Sequence, residues 1–249
     1  MKVAVCLKRV PDTTTKIEVG ADGKSINPAG VQYVISPYDE FAVEEGIRRK
    51  EAAGEGSVTI VTVGPAASTD VIRKALGMGA DDAVLATTEE SLDPRRTAEA
   101  LAGVLRDRGD DLVLFGRTSV DGQSAQVGAQ VAGLLGIPYV GDVVGLEIEG
   151  RSAKITREVE GGHVVLRGDL PLAIGCQKGL NEPRYPSLKG IMMAKKKPIE
   201  TVEATCGDPT VETVSLAPPP ARPDGRIVGE GVDAVPELVR LLREEAKIV

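Results

Sequence analysis

Leu112-Val113-Leu114-Phe115-Gly116-Arg117-Thr118-Ser119 is the stretch that decides the fold, because a short apolar run passes directly into a glycine and a series of polar residues. A helical pattern follows, in which Val127, Val131 and Leu134 recur on one face. A buried strand followed by a loop and an amphipathic helix is the repeating unit of an α/β sheet with parallel strands.

The same unit recurs along the N-terminal part of the chain. Three further strands are predicted at residues 3–7, 58–63 and 83–86. Helix starts carry capping signals, with Ser36 before Pro37 and Asp93 before Pro94. We therefore predict an α/β fold built on a mostly parallel, doubly wound sheet with helices on both faces.

The pattern changes in the C-terminal part. From Asp142 to Ile174, short strands with period-two alternation predict an antiparallel extension of the sheet. After residue 200 the periodicity is lost through Pro218-Pro219-Pro220 and a turn at 222–225, before a short final helix. We predict an α/β domain over residues 1–200 and a C-terminal arm over residues 201–249 that must lie on another surface, because it lacks a core of its own.

Composition excludes several classes of function. The 249 residues carry a net charge of −7 and only 2% aromatic residues, so neither phosphate-backbone binding nor base stacking is expected and nucleic acid is not a predicted partner. No apolar run approaches the roughly 20 residues that a membrane helix needs, so insertion into a bilayer is not expected. The length alone leaves the number of domains open.

The cysteine and histidine content excludes further chemistry. Cys6, Cys176 and Cys206 are too few and too scattered for a disulfide framework, and the start of the chain resembles no signal or transit peptide, so a reducing, cytoplasmic location is expected. His163 is the only histidine in the sequence, which argues against a catalytic triad or a multi-histidine metal site. We predict no catalytic residue and no metal site.

The loop after the 112–115 strand is a candidate anion site. Small and hydroxyl residues there precede a helix N-terminus, where backbone N–H groups favour a phosphate. A plain, well-capped loop is the alternative, since no Walker or Gly-x-Gly-x-x-Gly spacing is present. In an open parallel sheet this loop would lie beside the Cys6 region, the loop 63–67 that begins with Val63, and the segment 36–39, and the four could converge on one nucleotide. For Gly64 and Pro65, a turn followed by a helix start is the alternative.

A second candidate feature is the segment 178–197, with six basic side chains and one acidic side chain inside an acidic chain. Such asymmetry predicts a docking surface for an acidic partner, and a solvated basic loop without a partner is the alternative.

At this segment the sequence resembles a known family. Gly179-Leu180-Asn181-Glu182-Pro183-Arg184-Tyr185-Pro186-Ser187-Leu188, followed by Ile191-Met192 and Ala194-Lys195-Lys196-Lys197, is similar to the signature of electron transfer flavoprotein beta subunits. The similarity extends to 8–12, 37–45, 75–81 and the Asp121 loop. It therefore covers nearly the whole chain, the arm after residue 201 being the least distinctive part.

The resemblance implies a Rossmann-like fold of the adenine-nucleotide alpha-hydrolase type and a heterodimer with a larger alpha subunit that carries the redox-active FAD. It implies a structural AMP in this subunit and an arm that packs on the alpha subunit. The AMP site carried over by motif comprises Cys6, Ser36, Pro37, Tyr38, Asp39, Val63, Gly116, Arg117, Thr118, Ser119, Val120, Asp121, Gly122, Gln123, Ser124, Ala125, Gln126 and Val127.

The resemblance also assigns the basic segment to the docking of partner dehydrogenases. Leu188 would be the apolar plug, and the docking set would also include Arg184, Tyr185, Lys195, Lys196 and Lys197. Glu158 falls on an acid that faces the flavin domain of the alpha subunit and influences its orientation. Thr13 departs from the pattern that the resemblance implies, because many mitochondrial relatives carry a tyrosine there near the FAD.

Three functions remain as hypotheses. The first is an electron carrier that takes electrons from acyl-CoA-type dehydrogenases of fatty acid β-oxidation and passes them to a membrane quinone oxidoreductase. The second is a subunit of an NADH-dependent, electron-bifurcating flavoprotein with a second FAD in place of AMP, because the loop 121–128 in part resembles such relatives. The third is a phosphate-binding α/β module that acts alone.

Overall fold

The computed structural model describes residues 1–221 and 224–249, so part of the turn predicted at 222–225 lies outside the described residues. The strands are β1 Lys2–Cys6, β2 Arg9–Pro11, β3 Tyr33–Ile35, β4 Ser57–Gly64, β5 Asp82–Thr87, β6 Leu112–Gly116, β7 Tyr139–Glu149, β8 Ser152–Val159, β9 Gly162–Asp169, β10 Leu172–Cys176 and β11 Ile199–Glu203. The α-helices are α1 Pro37–Ala53, α2 Thr69–Met78, α3 Pro94–Leu105, α4 Val127–Leu135, α5 Leu188–Ala194 and α6 Val235–Glu244.

A nine-stranded sheet forms the centre of the fold, in the order β11-β5-β4-β1-β6-β10-β7-β8-β9. β1 pairs in parallel with β4 on one side and with β6 on the other. The chain therefore moves away from β1 in one direction through β4 and β5 and then crosses over to β6. This reversal is a topological switch point, beside which open α/β sheets bind their ligands.

Helices cover both faces of the sheet, because the inner strands are apolar on both sides. Val5 and Leu114 face a core with α1 and α2, whereas Cys6, Val113 and Phe115 face a second core with α3 and α4. Successive side chains of a strand point to opposite faces, which is why neighbouring residues divide between the two cores. The predicted mostly parallel, doubly wound sheet is confirmed.

The antiparallel extension is confirmed for β7, β8 and β9, but it ends earlier than predicted. Leu172–Cys176, the end of the predicted extension, is instead β10, which lies parallel between β6 and β7. Every residue of β10 is buried, which is typical of a central parallel strand and not of a half-exposed antiparallel one.

The beginning of α1 also differs from the capping pattern. Ser36 lies at the N-cap position, but its hydroxyl makes no capping hydrogen bond and its Oγ is buried without a partner among the described residues. Asp93, in contrast, caps α3 by accepting a hydrogen bond from the backbone N–H of Arg96 at 2.8 Å. Between β2 and β3, an isolated antiparallel bridge joins Val19 and Ile26.

The C-terminal part begins within the sheet. β11 pairs in parallel with β5, so the strand crosses the boundary predicted after residue 200. The chain beyond β11 runs past α3, where Asp93 Oδ2 accepts hydrogen bonds from the backbone N–H groups of Thr210 and Val211. α6 has one buried residue, Leu241. No helix of the described ranges has the length and apolar character needed to cross a membrane.

Candidate nucleotide site and docking surface

A cavity of about 590 Å³ opens where β1, β4 and β6 end, at the switch point of the sheet. Of the residues predicted to bind a nucleotide, it is lined by Cys6, Asp39, Val63, Gly116, Arg117, Thr118, Ser119, Asp121, Gly122, Ser124, Ala125, Gln126 and Val127. All four predicted segments therefore contribute to one cavity. The loop after β6 supplies most of these residues, and the other three segments supply Cys6, Val63 and Asp39.

Five residues of the predicted set do not line the cavity: Ser36, Pro37, Tyr38, Val120 and Gln123. Ser36 is fully buried, and Pro37 and Tyr38 form the first turn of α1. The segment 36–39 reaches the cavity through Asp39 alone.

Asp39 joins the ends of β1 and β6 beneath this cavity. Its Oδ2 accepts a hydrogen bond from the backbone N–H of Lys8 at 2.7 Å, and its Oδ1 accepts one from the backbone N–H of Gly116 at 3.0 Å. Burial raises the pKa of Asp39 to about 7, although the two N–H donors favour the charged carboxylate and oppose the shift. Asp39 holds the two strand ends at the switch point in register.

The loop between β6 and α4 leaves a row of backbone donors unbonded. Gln123 and Ala125 have positive φ angles of 48° and 52°, an unusual conformation for residues other than glycine. Within the described residues, no oxygen accepts a hydrogen bond from the backbone N–H of Ser124, Ala125, Gln126, Val127 or Gly128. Free N–H groups in such a turn, continued into a helix N-terminus, form a concave site for an anion.

Lys8 adds a cation to this loop. Its ammonium lies 2.8 Å from the carboxylate of Asp121 and 3.5 Å from the hydroxyl of Ser119, and so connects the end of β1 to the loop. The loop itself carries one cation that lines the cavity, Arg117, and this side chain pairs with Asp142 on β7 at 2.7 Å. Lys8 is half-exposed, and its positive charge would favour an anion at the free N–H groups.

Gly64 and Pro65, in the predicted loop 63–67, also line the cavity. The part of the lining that was not predicted from the sequence includes Arg9, Tyr33, Ser68, Thr88, Glu90, Ser91 and Leu92. The guanidinium of Arg9 stacks on the ring of Tyr33 at 3.6 Å and binds both carboxylate oxygens of Asp70. Residues 88–92 follow β5, so the rule that ligands lie at strand ends, applied to β5, would have found them.

The cysteines of the two cores are not exposed nucleophiles. Burial raises the pKa of the Cys6 thiol and of the Cys176 thiol well above the usual value. Cys6 lines the cavity at the end of β1 and is only 5% exposed. No group of three or more histidine, cysteine, aspartate or glutamate side chains in residues 1–221 and 224–249 could hold a metal ion.

The basic segment forms an apolar surface bordered by lysines. Tyr185 is 95% exposed, Leu188 84% and Met192 70%. α5, which carries Leu188 and Met192, packs against α2. Exposed apolar side chains grouped on one short helix are characteristic of an interaction surface.

The charged members of the predicted docking set divide into two groups. Lys195 and Lys196 are exposed, and no carboxylate of the described residues pairs with either. Arg184 and Lys197 are instead bound within the chain: Arg184 to Glu44 and Glu51, and Lys197 to the carbonyl oxygens of Leu76 and Ala80.

Glu158 lies at the exposed end of β8, away from the cavity lining. Its Oε2 accepts a hydrogen bond from the side-chain amide of Gln177 at 3.1 Å, and it is paired in register with His163 on β9. His163, the only histidine of the sequence, therefore lies in β9, which forms a hairpin with β8.

Comparisons with known proteins show the family of this chain. A sequence model described as the electron transfer flavoprotein domain matches residues 24–206. Full-length similarity is found to proteins named electron transfer flavoprotein subunit beta. That of Bacillus subtilis (strain 168) is 42% identical over 100% of both chains, and that of Sus scrofa is 37% identical over 100% of this chain and 99% of the relative. A third, from Syntrophomonas wolfei, is 39% identical over 100% of this chain and 98% of the relative. The chain therefore belongs to the electron transfer flavoprotein family, among its beta subunits.

Proposed function

We propose that this beta subunit holds an AMP in the cavity at the switch point and completes, with a larger alpha subunit, a heterodimeric flavin electron carrier. The observation that carries the nucleotide site is the row of unbonded N–H groups from Ser124 to Gly128 on the wall of the cavity. These donors and the ammonium of Lys8 fit a phosphate in number and in charge.

The nucleotide has a structural role in this proposal. The chain brings Asp39, Cys6 and Val63 to the cavity from three separate strand ends or helix starts, so a ligand that contacts all of them ties the sheet edge together. Binding to the folded state alone stabilises it by mass action. In this proposal the chain contributes binding and not a chemical step; among the described residues that line the cavity, no nucleophile is paired with a base.

The FAD shared with the alpha subunit would supply the redox chemistry when it is bound. This chain would contribute its C-terminal arm, whose exposed apolar residues include Val235, Leu238 and Val239 on α6, to the contact with that subunit. Glu158, exposed at the end of β8, would act on the flavin-bearing domain through its charge.

The docking surface would bind acyl-CoA-type dehydrogenases, from which the carrier takes electrons that it later delivers to a membrane quinone oxidoreductase. Leu188 supplies the apolar contact, and Lys195 and Lys196 supply charge for an acidic partner surface. The NADH-dependent, bifurcating type with a second FAD in place of AMP stays an alternative, and the cytoplasmic location stays a prediction.

The test is to co-express the chain with its alpha subunit and mix the purified product with a reduced acyl-CoA dehydrogenase. We expect a one-to-one complex whose flavin is bleached by the dehydrogenase. A chain that purifies as a stable, nucleotide-binding monomer and forms no complex with the alpha subunit would instead support the module that acts alone.

A further inference from the structure

The segment that carries the docking surface is attached to the rest of the chain at both of its ends. At the first end, the Asn181 side-chain amide donates to Phe41 O at 3.0 Å and to Glu45 Oε2 at 2.9 Å. At the second end, the Arg73 guanidinium donates to Ala194 O at 2.5 Å and to Lys197 O at 2.7 Å. These contacts attach the segment to α1 and to α2.

Arg184 makes the most extensive of these attachments. Its guanidinium binds both carboxylate oxygens of Glu44, at 2.8 and 3.0 Å, and both of Glu51, at 2.8 and 3.0 Å. The Glu44 side chain is only 6% exposed, whereas that of Glu51 is 55% exposed. Two bidentate pairs fix the plane of the guanidinium, and a charge pair that is partly buried is costly to break.

The backbone next to Arg184 then emerges into solvent. The N–H of Arg184 itself donates to Glu44 at 3.2 Å, and the following residue, Tyr185, is almost completely exposed. A Cβ added at Gly190 would collide with the carbonyl oxygen of Gly77, so the backbones of α5 and α2 are in direct contact. Leu188 is therefore displayed by a backbone that is held on both sides while its own side chain contacts little.

From this arrangement we infer that Arg184 is a positioning residue: it fixes the backbone that presents Leu188 to an electron-transfer partner, and it supplies no charge to that partner. Both ends of its guanidinium are already neutralised by carboxylates of α1. The positive charge of the surface comes from Lys189, Lys195 and Lys196, which are exposed and form no ion pair with the described residues.

A display surface that is ordered before binding loses less conformational entropy when the partner docks. The ion pairs of Arg184 with Glu44 and Glu51 act as a clamp on this backbone. Loosening the clamp should therefore weaken docking through Leu188, although neither Arg184 nor Glu51 needs to touch the partner. This inference rests on the proposed docking function, and the experiment is arranged so that the two can fail separately.

The test is a double-mutant cycle on the assembled heterodimer, with a purified acyl-CoA dehydrogenase and the carrier as the varied substrate. The variants are Arg184→Gln, Leu188→Ala and the two combined, and Glu51→Gln opens the clamp from its exposed side if Arg184→Gln assembles poorly. Arg95→Gln is the matched control, since Arg95 pairs with Glu99 within α3 at 3.0 Å.

We expect Arg184→Gln to raise KM for the carrier about fivefold, with kcat nearly unchanged, and Glu51→Gln to raise it about twofold. In the Leu188→Ala background the further increase should be below about 1.5-fold. Amide exchange in residues 185–193 should become faster in both clamp variants. The salt dependence of KM should change less in Arg184→Gln than in Lys195→Gln/Lys196→Gln, because the Arg184 charge lies between two carboxylates.

Equal factors in the two backgrounds, or a salt dependence of KM that falls as far in Arg184→Gln as in Lys195→Gln/Lys196→Gln, would overturn the positioning role and leave docking by Leu188 in place. A Leu188→Ala carrier with unaltered KM would overturn the docking function itself. The control Arg95→Gln should leave KM within about 1.5-fold of the parent.

Discussion

The carboxylate of Asp39, at the start of α1, accepts a hydrogen bond from the backbone N–H of Gly116, at the end of β6, over 3.0 Å. The other carboxylate oxygen accepts from the N–H of Lys8, after β1. One buried acid thus connects the two strands on either side of the switch point, and the cavity is built above this connection.

Asp39→Asn should change the pH dependence of stability. Because the pKa of Asp39 is raised from 3.8 to about 7, the folded state binds this proton more tightly than the unfolded state does. The contribution of Asp39 is fully present below its unfolded pKa and is lost as the pH rises through about 7. The free energy of unfolding of the parent, relative to Asp39→Asn, should therefore fall by on the order of 2–3 kcal/mol between about pH 5 and about pH 8.

Urea unfolding of the two assembled heterodimers, at matched pH values, measures this difference, in which the pH dependence of the alpha subunit cancels. A difference that does not vary over this range would show that Asp39 does not titrate there.

Gly116→Ala should disrupt the same connection by steric overlap. A Cβ at this position would lie 2.7 Å from the backbone nitrogen of Asp39 and would also collide with its Oδ1. We expect a loss of about 1–3 kcal/mol of stability, together with weaker nucleotide retention, because the end of β6 and the start of α1 are forced apart. Gly103→Ala is the control: no atom lies within 4 Å of its added Cβ, so it should be neutral or slightly stabilising in α3.

Thermal unfolding and the nucleotide content of both glycine variants are the measurements. Equal behaviour of Gly116→Ala and Gly103→Ala would contradict the close contact between α1 and β6.

Lys8→Met should reduce nucleotide retention. The variant removes the cation beside the free N–H groups and leaves the carboxylate of Asp121, 2.8 Å from the Lys8 ammonium in the parent, uncompensated near a bound phosphate. The loss of one charge-assisted hydrogen bond should lower the affinity of the site for AMP about tenfold. The AMP retained after gel filtration in dilute buffer reports the loss.

Lys16→Met is matched to Lys8→Met in chemistry, since Lys16 is 89% exposed and lies outside the cavity lining. It should retain AMP as the parent does. The account of the anion site would be wrong if both lysine variants retained AMP equally.

Leu188→Ala should slow electron transfer from dehydrogenases and leave the heterodimer intact. Truncating an apolar side chain that fills a partner's pocket typically costs more than about 1–2 kcal/mol of binding free energy. This corresponds to about a tenfold loss of kcat/KM. Ile17→Ala, at a position 46% exposed and outside the docking segment, should have no such effect. Unaltered transfer with Leu188→Ala would remove that residue from the docking role.

The parts predictable from the sequence were those with a local signal. The apolar runs around Val5 and Leu114 predicted central strands, and the small residues after Phe115 predicted a loop that now lines the cavity. β10 was assigned to the wrong kind of pairing, since five apolar residues do not reveal which neighbours a strand has.

The unpredicted parts depend on contacts between distant positions. Lys8 reaches Asp121 across 113 positions of the chain, and Arg184 reaches Glu44 across 140. From the sequence alone, an arginine in a basic segment is interpreted as an unpaired charge, because the carboxylates that face it are distant in the chain. For the same reason Arg184 and Lys197 were grouped with the exposed lysines, although both are bound within the chain.

The nucleotide content of the purified heterodimer tests the central claim most directly. After denaturation, the released nucleotides are separated and quantified against the protein concentration. The account predicts one AMP and one FAD per heterodimer. In Gly116→Ala, both the AMP content and the free energy of unfolding should be lower than in the parent. Two FAD molecules without AMP would contradict it and would place the chain with the bifurcating type instead.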